Sequence, residues 1–510
     1  MDPFHLLPTA CRLRPRAPTI RCAGAALRYD DLRRLAERMV REVQRAGAGA
    51  GDRVAALFRN CHLYLACYFG ALQGGFVLVP LNLRLHPAEK RGILGHSGSR
   101  ALVGEPSLMA PLLGEAPRSM EGGWAVAPLD PKDEARDPLM PGDAAHLYYT
   151  SGTTGRPKGV VLTRANLAAH VEMTLDELEI TERDVWLHAA PMFHLADAWA
   201  VWTVTAVAGT HVMLPRYGAA AVLDLLEREG VTITNLVPTM LTELLAEAAR
   251  RGRKPPSLRL LLSGGAPMPR RAVARVAEVL GCPYAQTYGL TETSPFLTFS
   301  LLGARQRRLP VAERLRLLAR AGRPARGIRL RVVRFGPRGE MTDVPPDDAT
   351  VGEVVVRGPT VTPGYWRDPA STREAFRDGW FRTGDLGTLN GDGSLNLVDR
   401  AKDVIVTGGE TVYSAEVEHL LHDHPAVREA AVFGVPHRVW GESVRAAVVL
   451  SAPGAARAEE LVAFCRGRIA RFKCPRGVDL LPELPRTGSG KIDKKALRAP
   501  FWRGRDRGIN

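Results

Sequence analysis

No run in this 510-residue chain stays apolar for long enough to cross a bilayer. The opening stretch, "MDPFHLLPTACRLRPRAPTIRC", lacks the apolar core of a secretory signal. The closing "RDRGIN" carries no S-K-L-type address. Cysteine is scarce: there are seven, an odd number, with no C-x-x-C pair among them. That usage argues against a zinc site or a disulfide framework. It favours free thiols in a reducing compartment, so the expected location is the cytoplasm. No fixed-period repeat appears, which sets aside solenoids and propellers. The chain is too long for one core, so more than one domain is expected.

Acidic residues are outnumbered. The net charge is +15, which admits a nucleic-acid reading. Basic nucleic-acid binders concentrate their charge in a patch or tail, whereas arginine here is spread along the chain. The one concentration, Gly303–Arg334, reads as an amphipathic helix with a wet arginine face, followed by a strand. No nucleic-acid partner is expected. A basic surface of this kind still attracts polyanionic small molecules such as ATP or coenzyme A.

Strand-like runs alternate with helical ones through most of the chain. Examples are "RVAALF" before "CHLYLACYFGALQGG" and "VTITNLV" before "PTMLTELLAEAARR". This is α/β alternation with mostly parallel sheets flanked by helices. From about Ile328 the pattern turns to short strands with Gly/Pro turns, a β-rich subdomain. After Arg400 it turns again, to small α+β units. The expected division is a large N-terminal domain, 1–400, and a small C-terminal domain, 401–510.

The densest chemistry lies in "YYTSGTTGRPKGVVLT", Tyr148 to Thr163. Thr150, Ser151, Thr153 and Thr154 surround Gly152 and Gly155, and Lys158 follows Pro157. Glycine lets successive backbone N–H groups turn toward one spot; hydroxyls add donors and Lys158 adds a mobile charge. Such a loop suits a polyphosphate. It is not a Walker A loop, which needs G-x-x-x-x-G-K-[ST]. Its flanks read as strands, so it joins strand to strand, and Thr163 reads as the N-cap of a helix over "RANLAAHVEMTLDEL". On these residues alone a plain polar hairpin stays open.

Further constellations follow. "YAQTYGLTETSP" sets Tyr288, able to stack on a base, near Glu292, able to hold Mg²⁺ on phosphate oxygens. "RTGD" puts Asp385 at a turn, able to accept from a ribose diol. "DRAKDVIVTGGETVYSAEVE" offers Arg400 and a glycine loop, and "PRTGSGKIDK" presents Lys491 on another. The histidines at 419, 422 and 424 invite a metal reading, but "EHLLHDHP" reads as a helix ending at a turn.

In this order and at these separations, the segments resemble the core motifs of the acyl-adenylate-forming superfamily, over nearly the whole chain. The likeness is nearest to fatty-acyl-CoA synthetases, through "PMFHLADAW" and the helical insert near Arg305–Arg320. The resemblance implies a two-step reaction. A carboxylate attacks ATP to give acyl-AMP and pyrophosphate, and a thiol then displaces AMP. It implies ATP, Mg²⁺ and coenzyme A as small-molecule partners. ATP or AMP is expected against Thr150, Ser151, Gly152, Thr153, Thr154, Gly155, Lys158, Gly264, Gly265, Ala266, Thr287, Tyr288, Gly289, Thr291, Asp385 and Arg400. The metal-associated residues are expected to be Thr150 and Glu292. Lys491 bridges carboxylate and phosphate in the first step, by charge more than by proton transfer.

The small domain is expected to reorient between the half-reactions, with Lys402 as its hinge and Gly408 and Gly409 swinging in to line the thiol tunnel. His194 is expected beside the acyl carbon or that tunnel. In related peptide-synthetase domains an aspartate after phenylalanine pairs with the substrate amine. Phe193-His194 stands here instead, which argues against an amino acid, and Asp197 reads as a helix-start residue. The expected acyl pocket is His194, Trp199, Val237, Pro238, Thr239, Gly264 and Gln286, largely small or apolar, for a hydrophobic fatty, aryl or bulky natural-product acid. An acyl carrier protein is the alternative thiol donor, although no carrier segment is fused here. A luciferase-like oxidation and a basic scaffold protein are remoter alternatives, and a homodimer is compatible with everything above.

Overall fold

The computed structural model of the chain describes residues 1–22, 24–130, 142–151, 157–266, 268, 270–487 and 491–503. The chain divides into two compact units. One comprises Met1–Leu330 with Val356–Phe381; the other comprises Arg331–Val355 with Arg382–Asn510. No helix among the described residues is long and apolar enough to cross a membrane.

The first unit carries two mostly parallel sheets. The larger has nine strands. Its centre is Val185–His188, Ile233–Leu236, Leu260–Gly264 and Tyr284–Tyr288, all parallel neighbours. The apolar side chains on these strands follow from burial on both faces. Leu187, Leu236, Leu261 and Tyr284 pack on one side with Leu241, Leu244 and Leu245 of the helix Pro238–Arg251. Trp186, His188 and Asn235 alternate to the other side, as the period of two requires. The helices Arg164–Leu178 and Leu195–Ala206 supply residues to the core there.

The second sheet has six strands and ends in the hairpin Ala144–Ser151 and Pro157–Thr163, joined antiparallel as the sequence suggested. The helix after it runs Arg164–Leu178, the span expected, and its cap is reciprocal. Thr163 Oγ1 accepts from Asn166 N at 3.0 Å, and Asn166 Oδ1 accepts from Thr163 N at 3.0 Å. A pairing of this kind is worth about 1 kcal/mol.

The second unit holds the β-rich segment and a sheet of small α+β character. Strands Gly441–Leu450 and Val427–His437 form its long antiparallel core, with Ile405–Thr407 and Gly477–Leu480 alongside. The helix Ser414–His422 packs Val417 and Leu421 against it. The histidine run behaves as a helix end: His424 Nδ1 accepts from Ala426 N at 3.2 Å, and burial pulls His422 down to about 4.

Two core histidines of the first unit give the fold a pH signature. His146 is buried among Tyr68, Tyr148 and Trp202, and His170 against Trp199 and Phe296. Desolvation brings each down to about 3. The folded state therefore refuses protons that the unfolded chain takes up below about pH 6.5, so stability falls as pH falls from there toward 3. Each histidine contributes a slope of at most about 1.4 kcal/mol per pH unit. Denaturant unfolding of His146→Asn between pH 7 and pH 5 is expected to show a shallower loss than the parent by about one proton.

Candidate active site

The phosphate-loop hairpin sets Thr150 directly opposite Lys158. Gly152, Thr153, Thr154 and Gly155, expected at its tip, lie outside the described residues, and Ser151 is described only as the end of its strand. What the structure adds is a third segment. Residues 359–366 lace onto the hairpin and its helix. Val161 N donates to Gly364 O at 3.1 Å, Trp366 N to Gly159 O at 2.7 Å, and Asn166 Nδ2 to Pro359 O at 2.7 Å. Trp366 is fully buried, with Nε1 on His96 O at 3.0 Å.

This lacing delivers Tyr365 to the site. The Lys158 ammonium lies over its ring, 5.2 Å from the centroid, and its hydroxyl donates to Glu292 Oε1 at 3.0 Å. Burial first, then the Glu292 carboxylate, raises the Tyr365 hydroxyl far above its ordinary range, so it stays a donor. Glu292 itself sits on the short turn Thr291–Thr293, whose backbone is held by Thr362 N on Glu292 O at 2.8 Å. Just before it, Gly289 is a close-approach glycine: a Cβ there would lie 1.9 Å from Pro295 O. Tyr365 was not foreseen from sequence. Its signal was the pair of adjacent aromatics in "PGYW".

Mg²⁺ takes oxygen ligands, and in nucleotide sites it is held by one or two carboxylates plus phosphates. Glu292, oriented by Tyr365, and the half-buried Thr150 are donors of that kind. Among the described residues no trio of His, Cys, Asp or Glu forms a self-sufficient metal cage. The donor set therefore fits a Mg²⁺ whose coordination is completed by substrate phosphates.

Gly264 and Thr287 are parallel partners at the strand ends, with Gly265 and Ala266 exposed just beyond. Tyr284 belongs to the apolar core, while Tyr288 ends its strand. Val237 caps the helix that opens with Pro238 and Thr239. Gln286 is buried. It pairs in register with Ser263, on the sheet face of Leu236 and Tyr284, and its Oε1 accepts from Met268 N at 3.2 Å.

His194 is the N-cap of Leu195–Ala206, with Phe193 against its ring. Asp197 lies in the first turn, as expected, but does not cap it. It is fully buried, with Oδ2 on His188 Nδ1 at 2.7 Å; His188 Nε2 meets His211 Nδ1 at 3.0 Å, and His211 Nε2 meets Thr205 Oγ1 at 3.0 Å. Trp199 packs on Trp186 at 4.8 Å and on Phe296 at 5.1 Å.

In the second unit, Asp385 and Arg400 are cross-strand partners, with Arg400 Nε 2.9 Å from Asp385 Oδ1. Gly408 and Gly409 form a two-residue hairpin between Ile405–Thr407 and Glu410–Val412. Their φ values of +61° and +82° are those of a type I′ turn, which suits glycine at both positions. Lys402 is exposed in a 3₁₀ turn, its carbonyl facing Arg498 at 3.4 Å.

Lys491 is exposed, and its carbonyl accepts from Thr487 N at 2.8 Å. A buried network lies three residues on. Lys494 Nζ reaches Glu418 Oε1 at 2.7 Å and Ser414 Oγ at 2.7 Å, and Ser414 Oγ donates to Asp399 Oδ2 at 2.8 Å. The Glu418 carboxylate, raised by burial, also accepts from Val432 N at 2.7 Å. Removing Lys494 leaves that carboxylate without its counter-charge, which costs about 3 kcal/mol at this partly shielded site. Hydrogen exchange should register the loss as faster opening of Ser414–His422 in Lys494→Ala, with less effect in Lys494→Ala/Glu418→Gln.

The AMP-binding enzyme family matches residues 7–366, and the AMP-binding enzyme C-terminal domain matches 416–491. A feruloyl-CoA synthase from an Amycolatopsis species is 39% identical over 96% of this chain and 97% of its own length. A long-chain-fatty-acid–CoA ligase from Thermus thermophilus is 35% identical over 93% of this chain and 90% of its own. Among solved structures, the o-succinylbenzoate CoA synthetase of Bacillus subtilis with its acyl-adenylate intermediate superposes with a TM-score of 0.81. It is 31% identical and covers 98% of both chains. The same enzyme has been solved with ATP and a magnesium ion.

Proposed function

This chain belongs to the AMP-binding enzyme family, and from that premise we propose that it is an ATP-dependent acid–thiol ligase. It activates a hydrophobic carboxylic acid as acyl-AMP and passes the acyl group to coenzyme A. The observation that carries the reading is the triplet Lys158–Tyr365–Glu292 at the phosphate hairpin, a cation and a carboxylate held by one aromatic side chain.

In the first half-reaction a carboxylate oxygen bonds to the α-phosphorus, and the bond to the β-phosphate oxygen breaks. Pyrophosphate leaves with the electron pair. Lys158 faces the departing phosphates, and Lys491 holds the two anionic reactants together, a stabilisation that grows as charge concentrates in the transition state. Mg²⁺, when bound with the nucleotide, supplies further neutralisation of phosphate charge. Asp385 accepts from the ribose, with Arg400 fixing its carboxylate. In the second half-reaction the thiol sulfur bonds to the acyl carbon and AMP leaves. Residues 401–510 turn about Lys402 between the steps, so that Lys491 withdraws and the Gly408-Gly409 hairpin approaches beside His194.

The direct test is carboxylate-dependent ATP–pyrophosphate exchange over a panel of fatty and aryl acids, followed by product analysis with coenzyme A and with a pantetheinylated carrier protein. Exchange, with thioester on coenzyme A, is expected; exchange with acylation of the carrier alone would transfer the assignment to a carrier-loading ligase.

Two variants separate the half-reactions. Lys491→Ala should slow exchange by roughly 10²-fold or more, the scale of one preorganised donor, while sparing thioester formation from supplied acyl-adenylate. Lys402→Pro, with φ locked near −65°, should keep most of the exchange and lose the thioester step. Single-turnover measurement of each step checks both: equal losses in the two steps would point away from these roles.

A further inference from the structure

Residues 189–194 join the strand Val185–His188 to the helix Leu195–Ala206 and present Phe193 and His194. Side chains from elsewhere hold this segment. Asn60, buried just ahead of the helix His62–Gln73, donates from Nδ2 to His188 O at 3.0 Å and to Ala190 O at 2.7 Å. Its Oδ1 accepts from Met192 N at 2.8 Å. Tyr68, on that helix and fully buried, donates to Met192 O at 2.7 Å. Both backbone groups of Met192 are thus met by side chains of one neighbouring segment.

The Tyr68 hydroxyl has a second partner, the Tyr148 hydroxyl at 2.8 Å. A hydroxyl has one proton to give, and a carbonyl only accepts. The Tyr68 proton is therefore on Met192 O, and Tyr148 is the donor to Tyr68. Burial raises both phenols above their ordinary range, so each keeps its proton. The result is a one-way chain from Tyr148 through Tyr68 to Met192 O. One end is the phosphate hairpin: Tyr148 lies two residues before Thr150, on the same strand face, and Lys158 is the cross-strand partner of Thr150 on that face. The other end lies two residues before His194.

Packing alone does not ask for these hydroxyls. The Tyr68 ring sits 5.1 Å from Tyr64, 5.6 Å from His146 and 6.0 Å from Trp202, centroid to centroid. Phenylalanine would keep those contacts and need no polar partner. Adenylate formation, however, needs the acid's carboxylate in line with the α-phosphorus. The segment assigned to the acid and the hairpin assigned to the phosphates must then hold one relative position.

We propose that Tyr68 is a positioning residue: its hydroxyl, accepting from Tyr148 and donating to Met192 O, sets the Phe193-His194 segment against the phosphate hairpin for adenylate formation. This rests on the ligase reading above. The chain fixes two half-sites relative to each other, so its loss falls on the rate of the chemical step and not on the affinity for either substrate.

The experiment follows a single turnover with saturating ATP and an acid that supports exchange, in wild type, Tyr68→Phe, Tyr148→Phe and the double variant. The amplitude counts correctly folded sites, and the rate constant reports the step itself. A merely structural role would lower the amplitude and leave the rate constant. Tyr68→Phe is expected to slow acyl-AMP formation by roughly 10-fold, with the KM for ATP and for the acid within about twofold of wild type. Tyr148→Phe cuts the chain at its hairpin end while keeping the bond to Met192, and should slow the step comparably. The double variant should be no slower than the slower single, since one chain cut twice loses nothing more. Should Tyr68→Phe fail to fold, the Tyr148→Phe rate constant decides alone. An unchanged rate constant in either single variant, or losses that multiply in the double, would overturn the proposal and leave the ligase reading intact. No exchange by the wild type with any acid of the panel would remove the ligase reading, and the proposal with it.

Discussion

Lys158 and Glu292 bring two opposite charges to this hairpin, and Tyr365 gives each of them a neutral support. Its ring carries the Lys158 ammonium and its hydroxyl carries the Glu292 carboxylate. The support is dependable because the tyrosine cannot ionise there: burial and the adjacent carboxylate both hold its proton. The surrounding backbone exists to place this ring. Gly364 O takes Val161 N, Trp366 N takes Gly159 O, and Asn166 reaches across to Pro359 and Val361. The reciprocal cap of the following helix thus does double service: the Asn166 Oδ1 that holds Thr163 N belongs to the amide whose Nδ2 secures the 359–361 segment.

The second unit solves a different problem. Lys491 is exposed, and a buried charge pair lies three residues along. Lys494, the first residue of its helix, is largely buried with Glu418, Ser414 and Asp399. A buried charge pair of this kind is a poor source of net stability and a strong determinant of position, because neither charge tolerates losing the other. The same network touches Asp399, immediately before Arg400 and three residues from Lys402. The segment that carries Lys491 and the segment assigned as hinge are therefore tied within one unit.

What the sequence made legible was local. The strand–loop–strand frame of the phosphate hairpin, the Thr163 cap and the ends of the helix Arg164–Leu178 follow from patterns a few residues wide. Asp385 and Arg400 were both expected at the nucleotide, but nothing in the sequence showed that they pair across strands, fifteen residues apart. Contacts between distant segments were not legible. Tyr365 meets Glu292 across 73 positions, and nothing in either neighbourhood announces the other. The face of the sheet that Gln286 occupies was not legible either, because register is set by neighbouring strands. Asp197 looked like a helix-start residue because acidic side chains favour that position. The fully buried His188 beneath it claims the carboxylate instead.

These separations divide the chemistry from the selectivity. The groups assigned to phosphate transfer sit on turns and strand ends: the hairpin, the Thr291–Thr293 turn and the Lys491 loop. Asn235, Trp199 and His170 sit on strand and helix interiors, where a side chain changes without moving those turns. One reaction frame can then serve acids as unlike as a fatty chain and a hydroxylated ring, the difference being carried by a few interior positions whose cost is paid in burial and not in catalysis.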